Sequence, residues 1–123
     1  MSKLGVVFNL DKHTESGSHW VALYMSLTDN IICYWDSFAM DPPNEVVKLV
    51  ERLTKQASEI GHKLKFKKNN IRHQYKNTEC GVYCIHFIIS MLEGVKFDTL
   101  CKNVINDETM NEYRKIFFRY SKK

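Results

Sequence analysis

The sequence predicts a single α+β domain in which a mostly antiparallel sheet packs against a helix that begins with a cysteine. Three observations support this prediction. Strand-like segments dominate the first third of the chain, an amphipathic helical segment follows them, and an apolar helical segment begins near Cys80. At 123 residues the chain is long enough to bury one core and too short for two, so we expect one domain over residues 1–123.

The N-terminal part predicts three strands. Residues 4–10 form the first strand, and a polar loop over residues 11–18 separates it from the second, at 19–26. Thr28, Asp29 and Asn30 indicate a turn, so residues 19–36 predict a hairpin whose third strand spans 31–36. Both hairpin strands are almost continuously apolar, which is typical of central strands that are buried on both faces.

The middle of the chain predicts a helix and a fourth strand. Pro42 and Pro43 open the helix, and Gly61 ends it as a C-terminal cap. Its apolar stripe consists of Val46, Val47, Leu49, Val50, Leu53, Ala57 and Ile60. Residues 63–68 alternate lysine with Leu64 and Phe66, which predicts a strand with one face in water.

The C-terminal part is predicted to be helical. A polar loop over residues 69–78 leads into a helix over 79–93, which Gly94 stops. Two further helical segments are predicted near residues 97–105 and 108–120.

Composition narrows the functional class. No apolar stretch is long enough to cross a membrane, and residues 1–5 lack a secretory signal, so we expect no membrane contact and an intracellular location in cytoplasm or nucleus. The four cysteines form no paired Cys-x-x-Cys knuckles, so we expect no zinc site, and without a secretory signal we expect free thiols. The formal net charge of +4 permits an acidic partner without requiring one.

Cys80 is the candidate nucleophile. It falls at a predicted helix start, where unpaired backbone N–H groups and the helix dipole favour the thiolate. Gly81 follows it and leaves room for a substrate backbone. The alternative is a buried structural thiol, which is the natural interpretation of Cys84 one helical turn later.

His19 and Asp36 are the candidate base and its carboxylate. His19 begins an apolar strand, whereas the other four histidines lie in polar or charged segments or within the cysteine helix. An antiparallel hairpin brings the start of its first strand beside the end of its second, so Asp36 is expected to face His19 and orient its ring. The alternatives are a solvated or packed histidine and a turn-forming aspartate.

Gln74 is the candidate donor to an oxyanion. It lies six residues before Cys80, and its amide together with the Cys80 backbone N–H would stabilise the charge that forms on a substrate carbonyl. The alternative is a solvated loop glutamine.

The order His-Trp, Asp, Gln and Cys-Gly resembles the ubiquitin-like-protein (SUMO-type) proteases and their viral relatives of the adenovirus-protease (adenain) type. Here these elements are His19-Trp20, Asp36, Gln74 and Cys80-Gly81. Residues 34–43, with Asp36-Ser37 ahead of two prolines, are similar to the viral branch, as are residues 8–14.

The resemblance implies a papain-like α+β fold with permuted elements. It also implies cofactor-free cleavage of peptide or isopeptide bonds after small residues, often Gly-Gly. Trp20 matches a tryptophan that lines the diglycine tunnel in the SUMO-type enzymes, and Gly81 would also contact substrate. The implied substrate is a protein, either a viral polyprotein or a ubiquitin-like conjugate, in a host cell or a virion.

The sequence departs from the family pattern in two places. Only 18 residues precede His19, so the upstream region that grips substrate in the family is expected to be absent. The loop before Cys80 has Lys76-Asn77-Thr78 where SUMO-type members often carry Asn-Gly, which argues against SUMO itself as the substrate.

Two alternatives to an active protease are a protease-derived module that binds a ubiquitin-like protein or peptide without cleaving it, and a nucleic-acid-binding protein. The second rests on a basic stripe formed by Lys63, Lys65, Lys67, Lys68 and Arg72, with further basic residues at the C-terminus, Arg114, Lys115, Arg119, Lys122 and Lys123. Such runs are usually solvated surfaces, so we expect at most a weak contact with DNA.

Overall fold

The computed structural model describes residues 2–10, 19–76 and 80–117, and within them it contains three strands, a helix, a fourth strand and three further helices in chain order. The strands are β1 (Lys3–Asn9), β2 (Trp20–Ser26), β3 (Ile31–Trp35) and β4 (Lys65–Lys68). The helices are α1 (Asn44–Glu59), α2 (Cys80–Leu92), α3 (Phe97–Lys102) and α4 (Asp107–Phe117). The predicted loop at residues 11–18, Glu79 at the predicted start of the cysteine helix and the end of the last helix at Tyr120 lie outside the described residues.

The four strands form one sheet in the order β1-β2-β3-β4. β1 and β2 are antiparallel, as are β2 and β3, whose register places Ala22 opposite Trp35. α1 carries the chain from β3 to β4, which returns parallel to β3. The sheet is therefore mostly antiparallel with the predicted hairpin at its centre, and this part of the prediction is confirmed.

Both faces of the hairpin are buried because helices cover each of them. Successive side chains of a strand point to opposite faces, so each strand contributes residues to both layers. One face packs against α2, α3 and α4, and its strand residues are Ala22, Tyr24, Cys33 and Trp35. The other face packs against α1, and its strand residues are Val21, Leu23, Ile32 and Tyr34. The continuous apolar runs of the sequence follow from this arrangement.

Several predicted element ends shift in the structure. β4 begins at Lys65 instead of Lys63, and its side chains do not alternate in burial: Lys67 and Lys68 are both half-buried. α3 ends at Lys102 instead of 105. Ile60, predicted to be in the stripe of α1, is 67% exposed, because the helix ends at Glu59 and Gly61 turns the chain with φ of +90°.

Among the described residues, no helix is long and apolar enough to span a membrane. All four cysteines lie within these residues; each is buried and none forms a disulfide.

Candidate active site

His19 and Asp36 meet where the hairpin predicts. His19 lies immediately before β2 and Asp36 immediately after β3, and the imidazole Nε2 is 2.9 Å from Asp36 Oδ1. The carboxylate is only 2% exposed, and Oδ1 also accepts a hydrogen bond from the Phe38 backbone N–H at 2.8 Å. Asp36 is therefore fixed from two sides, so it can orient the ring and stabilise its charged form.

Cys80 is the first residue of α2, and its sulfur lies beside the start of β2. The backbone N–H of Trp20 donates a hydrogen bond to Cys80 Sγ at 3.4 Å. Because Trp20 follows His19 in the chain, the start of this strand supplies both a donor to the sulfur and the imidazole beside it. Nε2 of His19 is already bonded to Asp36, so Nδ1 is the ring nitrogen left for the sulfur.

The pKa values of His19 and Cys80 move in opposite directions. The hydrogen bond to Asp36, first, and then the neighbouring Cys80 sulfur raise the pKa of His19 from 6.5 to about 9, although burial acts against this shift. Burial alone would raise the pKa of the Cys80 thiol, but the hydrogen bonds from His19, Trp20 and Gly81 together lower it below its ordinary value. The site therefore favours a thiolate–imidazolium pair.

The other three cysteines lack this environment. Burial raises the pKa of Cys33 to about 12 and that of Cys101 to about 11. Burial also raises the pKa of Cys84 well above its ordinary value, although Cys84 lies only one helical turn after Cys80. The difference between Cys80 and Cys84 comes from the donors around the sulfur, since both side chains are buried.

Gln74 is completely buried, which differs from a solvated loop glutamine. Its Oε1 accepts a hydrogen bond from the Ser37 hydroxyl at 2.5 Å, and its Nε2 donates to the Lys76 carbonyl oxygen. The Ser37 carbonyl oxygen accepts the backbone N–H groups of His73 and Gln74. These bonds fix the amide so that Nε2, with one hydrogen committed to Lys76, keeps a second hydrogen for a further acceptor.

Asn69 is a site residue that sequence reasoning missed. Its amide brackets the Asp36 backbone: Oδ1 accepts the Asp36 N–H at 2.9 Å, and Nδ2 donates to the Asp36 carbonyl oxygen at 2.6 Å. Asp36 follows β3 and Asn69 follows β4, and the carboxyl ends of parallel strands meet at one sheet edge. A parallel placement of β4 beside β3 would have predicted this contact, as would the polar residue directly after each strand.

Trp20 and Gly81 lie next to each other beside Cys80. A β-carbon at Gly81 would lie 4.0 Å from Cδ1 of Trp20, and both residues are half-buried. The structure thus places both predicted substrate contacts next to Cys80.

His73 lies in a segment that is polar in sequence, yet the structure buries its side chain. His73 is 2% exposed, its Nε2 bonds the Cys101 carbonyl oxygen at 3.0 Å, and its ring packs edge-on against Trp35. Burial lowers its pKa. His86 stacks on Tyr113, as a packing role predicts.

In the described ranges, no cluster of three or more His, Cys, Asp or Glu side chains could hold a metal ion. The basic stripe is partly neutralised: Lys67 pairs with Asp98 at 3.4 Å, and Lys68 pairs with Asp41. Arg119, Lys122 and Lys123 lie outside the described residues.

Comparison with known proteins gives similar sequences in viruses. A profile described as the Ulp1 protease family, C-terminal catalytic domain, matches residues 4–122. A putative thiol protease of Acanthamoeba polyphaga mimivirus is 31% identical over 117 residues, which cover 94% of this chain and 39% of that protein. A SUMO-1 cysteine protease of African swine fever virus is 36% identical over 118 residues, which cover 94% of this chain and 43% of that protein.

The fold is also similar to a solved structure. The crystal structure of the African swine fever virus protease, in its selenomethionine form, superposes with a TM-score of 0.84 at 34% identity, covering 92% of this chain and 43% of that one. The predicted α+β fold of the SUMO-protease type is confirmed. The chain spans about two-fifths of the length of these relatives.

Proposed function

This chain belongs to the Ulp1 protease family, and from that premise we propose that it is a cysteine peptidase in which Cys80 is the nucleophile and His19 the general base. The observation that carries the proposal is the arrangement around Cys80. Its sulfur accepts the Trp20 N–H and interacts with an imidazole that Asp36 holds, and the pKa of the thiol is lowered while that of the imidazole is raised.

The reaction follows from these contacts. The Cys80 thiolate attacks the carbonyl carbon of the scissile bond, and the carbonyl electrons move onto its oxygen. The C–N bond then breaks, and the leaving nitrogen takes the proton from the His19 imidazolium. The neutral imidazole then takes a proton from water, and the hydroxide attacks the thioester carbon. The C–S bond breaks, which releases a carboxylic acid and restores the Cys80 thiolate beside the His19 imidazolium.

We assign the oxyanion site to the Cys80 backbone N–H and Nε2 of Gln74. Support comes from the fixed orientation of the Gln74 amide, whose oxygen is occupied by the Ser37 hydroxyl. One such donor contributes a factor of about 100 to 1,000 to the rate.

We propose a protein substrate with small residues before the scissile bond. The contact between Trp20 and Gly81 supports this, because the indole lies beside the residue that follows Cys80. The African swine fever virus relative is named a SUMO-1 cysteine protease, which supports a ubiquitin-like conjugate as one substrate class. A viral polyprotein is the second class that we propose, from the resemblance to the viral branch. We further propose that the chain acts as a single catalytic domain in the cytoplasm or nucleus, where reducing conditions keep its four free cysteines as thiols.

The test is hydrolysis of two fluorogenic substrates, a Gly-Gly peptide amide and a SUMO C-terminal amide. We expect turnover of at least one by the wild-type chain and none by Cys80→Ala. Cys101→Ser is the matched control, since it also removes a buried thiol but keeps the His19 contacts. Binding of SUMO by both wild type and Cys80→Ala without turnover by either would favour the non-catalytic binding module.

Rapid alkylation of Cys80 gives a second measurement that needs no substrate. Iodoacetamide should modify Cys80 well below pH 8.5, and His19→Ala should shift this reactivity upward. Equal reactivity of Cys80 in both chains would contradict the proposed pair.

A further inference from the structure

Arg72 is exposed, yet three contacts hold its guanidinium. The guanidinium carbon lies 4.9 Å from the centre of the Phe38 ring and 4.6 Å from the centre of the Tyr75 ring. Its Nε donates a hydrogen bond to the Gln74 carbonyl oxygen at 2.6 Å. A long side chain on the surface usually samples many rotamers, so this bracing presets one orientation before any ligand arrives.

The charge of Arg72 is not neutralised within the described part of the chain. Lys67 and Lys68, on the neighbouring strand, each pair with an aspartate. Arg72 makes no ion pair with a carboxylate of residues 2–10, 19–76 or 80–117. Only Nε is engaged by the backbone, so the terminal nitrogens present planar donors that suit a carboxylate.

Phe38 connects Arg72 to the reacting groups. Its ring contacts the His19 imidazole, with ring centres 5.0 Å apart, and also contacts the Arg72 guanidinium. In the proposed reaction His19 gives its proton to the leaving nitrogen, so the leaving part of the substrate must lie beside the imidazole. The surface formed by Phe38, Arg72 and Tyr75 therefore borders that part. Tyr75 is 67% exposed and can supply apolar contact area there.

We propose that Arg72, braced between Phe38 and Tyr75, binds a carboxylate of the protein substrate on the leaving side of the scissile bond. The inference rests on the proposed function, and it assigns a substrate preference: an acidic side chain within the first few residues that follow the bond. The contact sets specificity by charge, and the chemistry of bond cleavage stays with Cys80 and His19.

Internally quenched peptides test this proposal. Three peptides share Gly-Gly before the bond and carry Glu, Gln or Lys at the second position after it. We expect the wild-type chain to cleave the Glu peptide about three- to fivefold faster than the Lys peptide in kcat/KM, the size of one exposed ion pair. Arg72→Glu should reverse the order, and Arg72→Lys should keep the order with a smaller ratio.

Lys63→Glu is the matched control, because it makes the same charge change as Arg72→Glu at an exposed lysine. Lys63 precedes the start of β4, whereas Arg72 follows its end. It should leave the Glu-to-Lys ratio unchanged. If Arg72→Gln slows all three peptides by the same factor, Arg72 only braces the Gln74 loop, and the proposal is wrong. It is also wrong if the charge preference of the wild-type chain lies before the bond.

Binding separates this proposal from the proposed function. The same three peptides, labelled with fluorescein, are titrated against Cys80→Ala in the wild-type and Arg72→Glu backgrounds, with anisotropy as the readout. A preference for Glu that Arg72→Glu reverses supports the Arg72 contact even when the wild-type chain cleaves none of the peptides. Equal binding of the three peptides, or no binding, overturns it whether or not turnover occurs.

Discussion

Cys80 combines deep burial with a lowered pKa because its sulfur accepts hydrogen bonds that the other buried thiols lack. Its residue type and place at a helix start were predictable from the sequence, as were His19 and Asp36 across the hairpin. The donors themselves were harder to predict. The Trp20 N–H that donates to the sulfur belongs to the backbone of another strand, so nothing in the sequence near Cys80 marks it. The same holds for the Asn69 side-chain amide, which bonds the Asp36 backbone.

The pH dependence of cleavage follows from the pKa shifts of His19 and Cys80. We expect kcat/KM to rise as Cys80 loses its proton, below the ordinary thiol value of 9.0, and to fall as His19 loses its proton at about pH 9. A rate profile from pH 5 to 10.5 measures both limbs. An activity that keeps rising past pH 10 would contradict a protonated His19 in the working enzyme.

The same shift makes part of the stability depend on pH. The pKa of His19 is raised in the folded chain from 6.5 to about 9, so its contribution is fully present below pH 6.5 and declines as pH rises toward 9. Urea unfolding of the wild type and of His19→Ala at pH 6 and pH 9.5 measures this contribution. Their difference in free energy should be smaller at pH 9.5.

Ser37 determines the orientation of the Gln74 amide. We expect Ser37→Ala to lower kcat about tenfold with little change in KM, a fraction of what loss of an oxyanion donor costs. In a Gln74→Ala background the same change should have little further effect, because the amide that Ser37 orients is gone.

Ser26→Ala is the control for Ser37→Ala. Ser26 is also fully buried, and its hydroxyl bonds Asp29 at the opposite end of the hairpin. Ser37→Ala should lower the unfolding free energy by about 1–3 kcal/mol because it leaves the buried Gln74 oxygen unsatisfied. Ser26→Ala should cost about 0.5–1.5 kcal/mol, the value of an ordinary hydrogen bond, because Asp29 is exposed to water. Only Ser37→Ala should lower kcat; equal losses of kcat in the two variants would assign Ser37 a purely structural role.

The helices and strands were predicted more reliably in type than in extent. Apolar spacing predicts the hairpin, α1 and the start of α2. Gly61 and Gly94 mark where α1 and α2 end, and their φ values of +90° and +92° suit helix ends. β4 is short because it pairs only through residues 65–68, and its parallel direction depends on where α1 returns the chain. Neither property is encoded in the alternation of residues 63–68.

α3 begins without a capping side chain. Lys96 occupies the N-cap position with an extended backbone, and its positive charge opposes the helix dipole. We expect Lys96→Ser to stabilise the chain by about 1 kcal/mol, measured by urea unfolding. Lys102→Ser makes the same substitution in the last turn of α3, where a positive charge is favourable, so it should not raise the free energy of unfolding. A lower free energy of unfolding in Lys96→Ser would show that Lys96 makes a contact that stabilises the chain more than a serine cap does.

At the scale of the whole molecule, two apolar layers share one sheet, and polar groups gather at the sheet edge where β3 and β4 end. The site lies where α2 meets this edge, so the hairpin and the helix must pack together before Cys80 meets His19. The sequence predicted these layers because both hairpin strands are apolar throughout. It did not predict how Asn69 and Ser37 connect the loops at the edge, since such contacts depend on the three-dimensional order of strands.

The distribution of charge predicts weak binding to DNA. Lys67 and Lys68 are paired with aspartates, which leaves few free cations on the stripe at β4. We expect micromolar or weaker binding to duplex DNA and a shallow dependence of log K on log salt, corresponding to about two or three phosphate contacts. Fluorescence anisotropy titrations at salt concentrations from about 25 to about 200 mM measure this slope. A steep slope would indicate that the stripe is a true nucleic-acid surface.

The separation of Cys80 from the hairpin has a consequence for synthesis of the chain. His19 and Asp36 are 17 residues apart and pair through a local hairpin, whereas the Trp20–Cys80 contact joins residues 60 apart. Local contacts form early, and domains are completed as the chain leaves the ribosome. A nascent chain therefore carries its base and carboxylate before its nucleophile, and the thiol keeps ordinary reactivity until α2 docks. The reactive sulfur is therefore the last part of the site to form, when α2 docks on the hairpin and folding is complete.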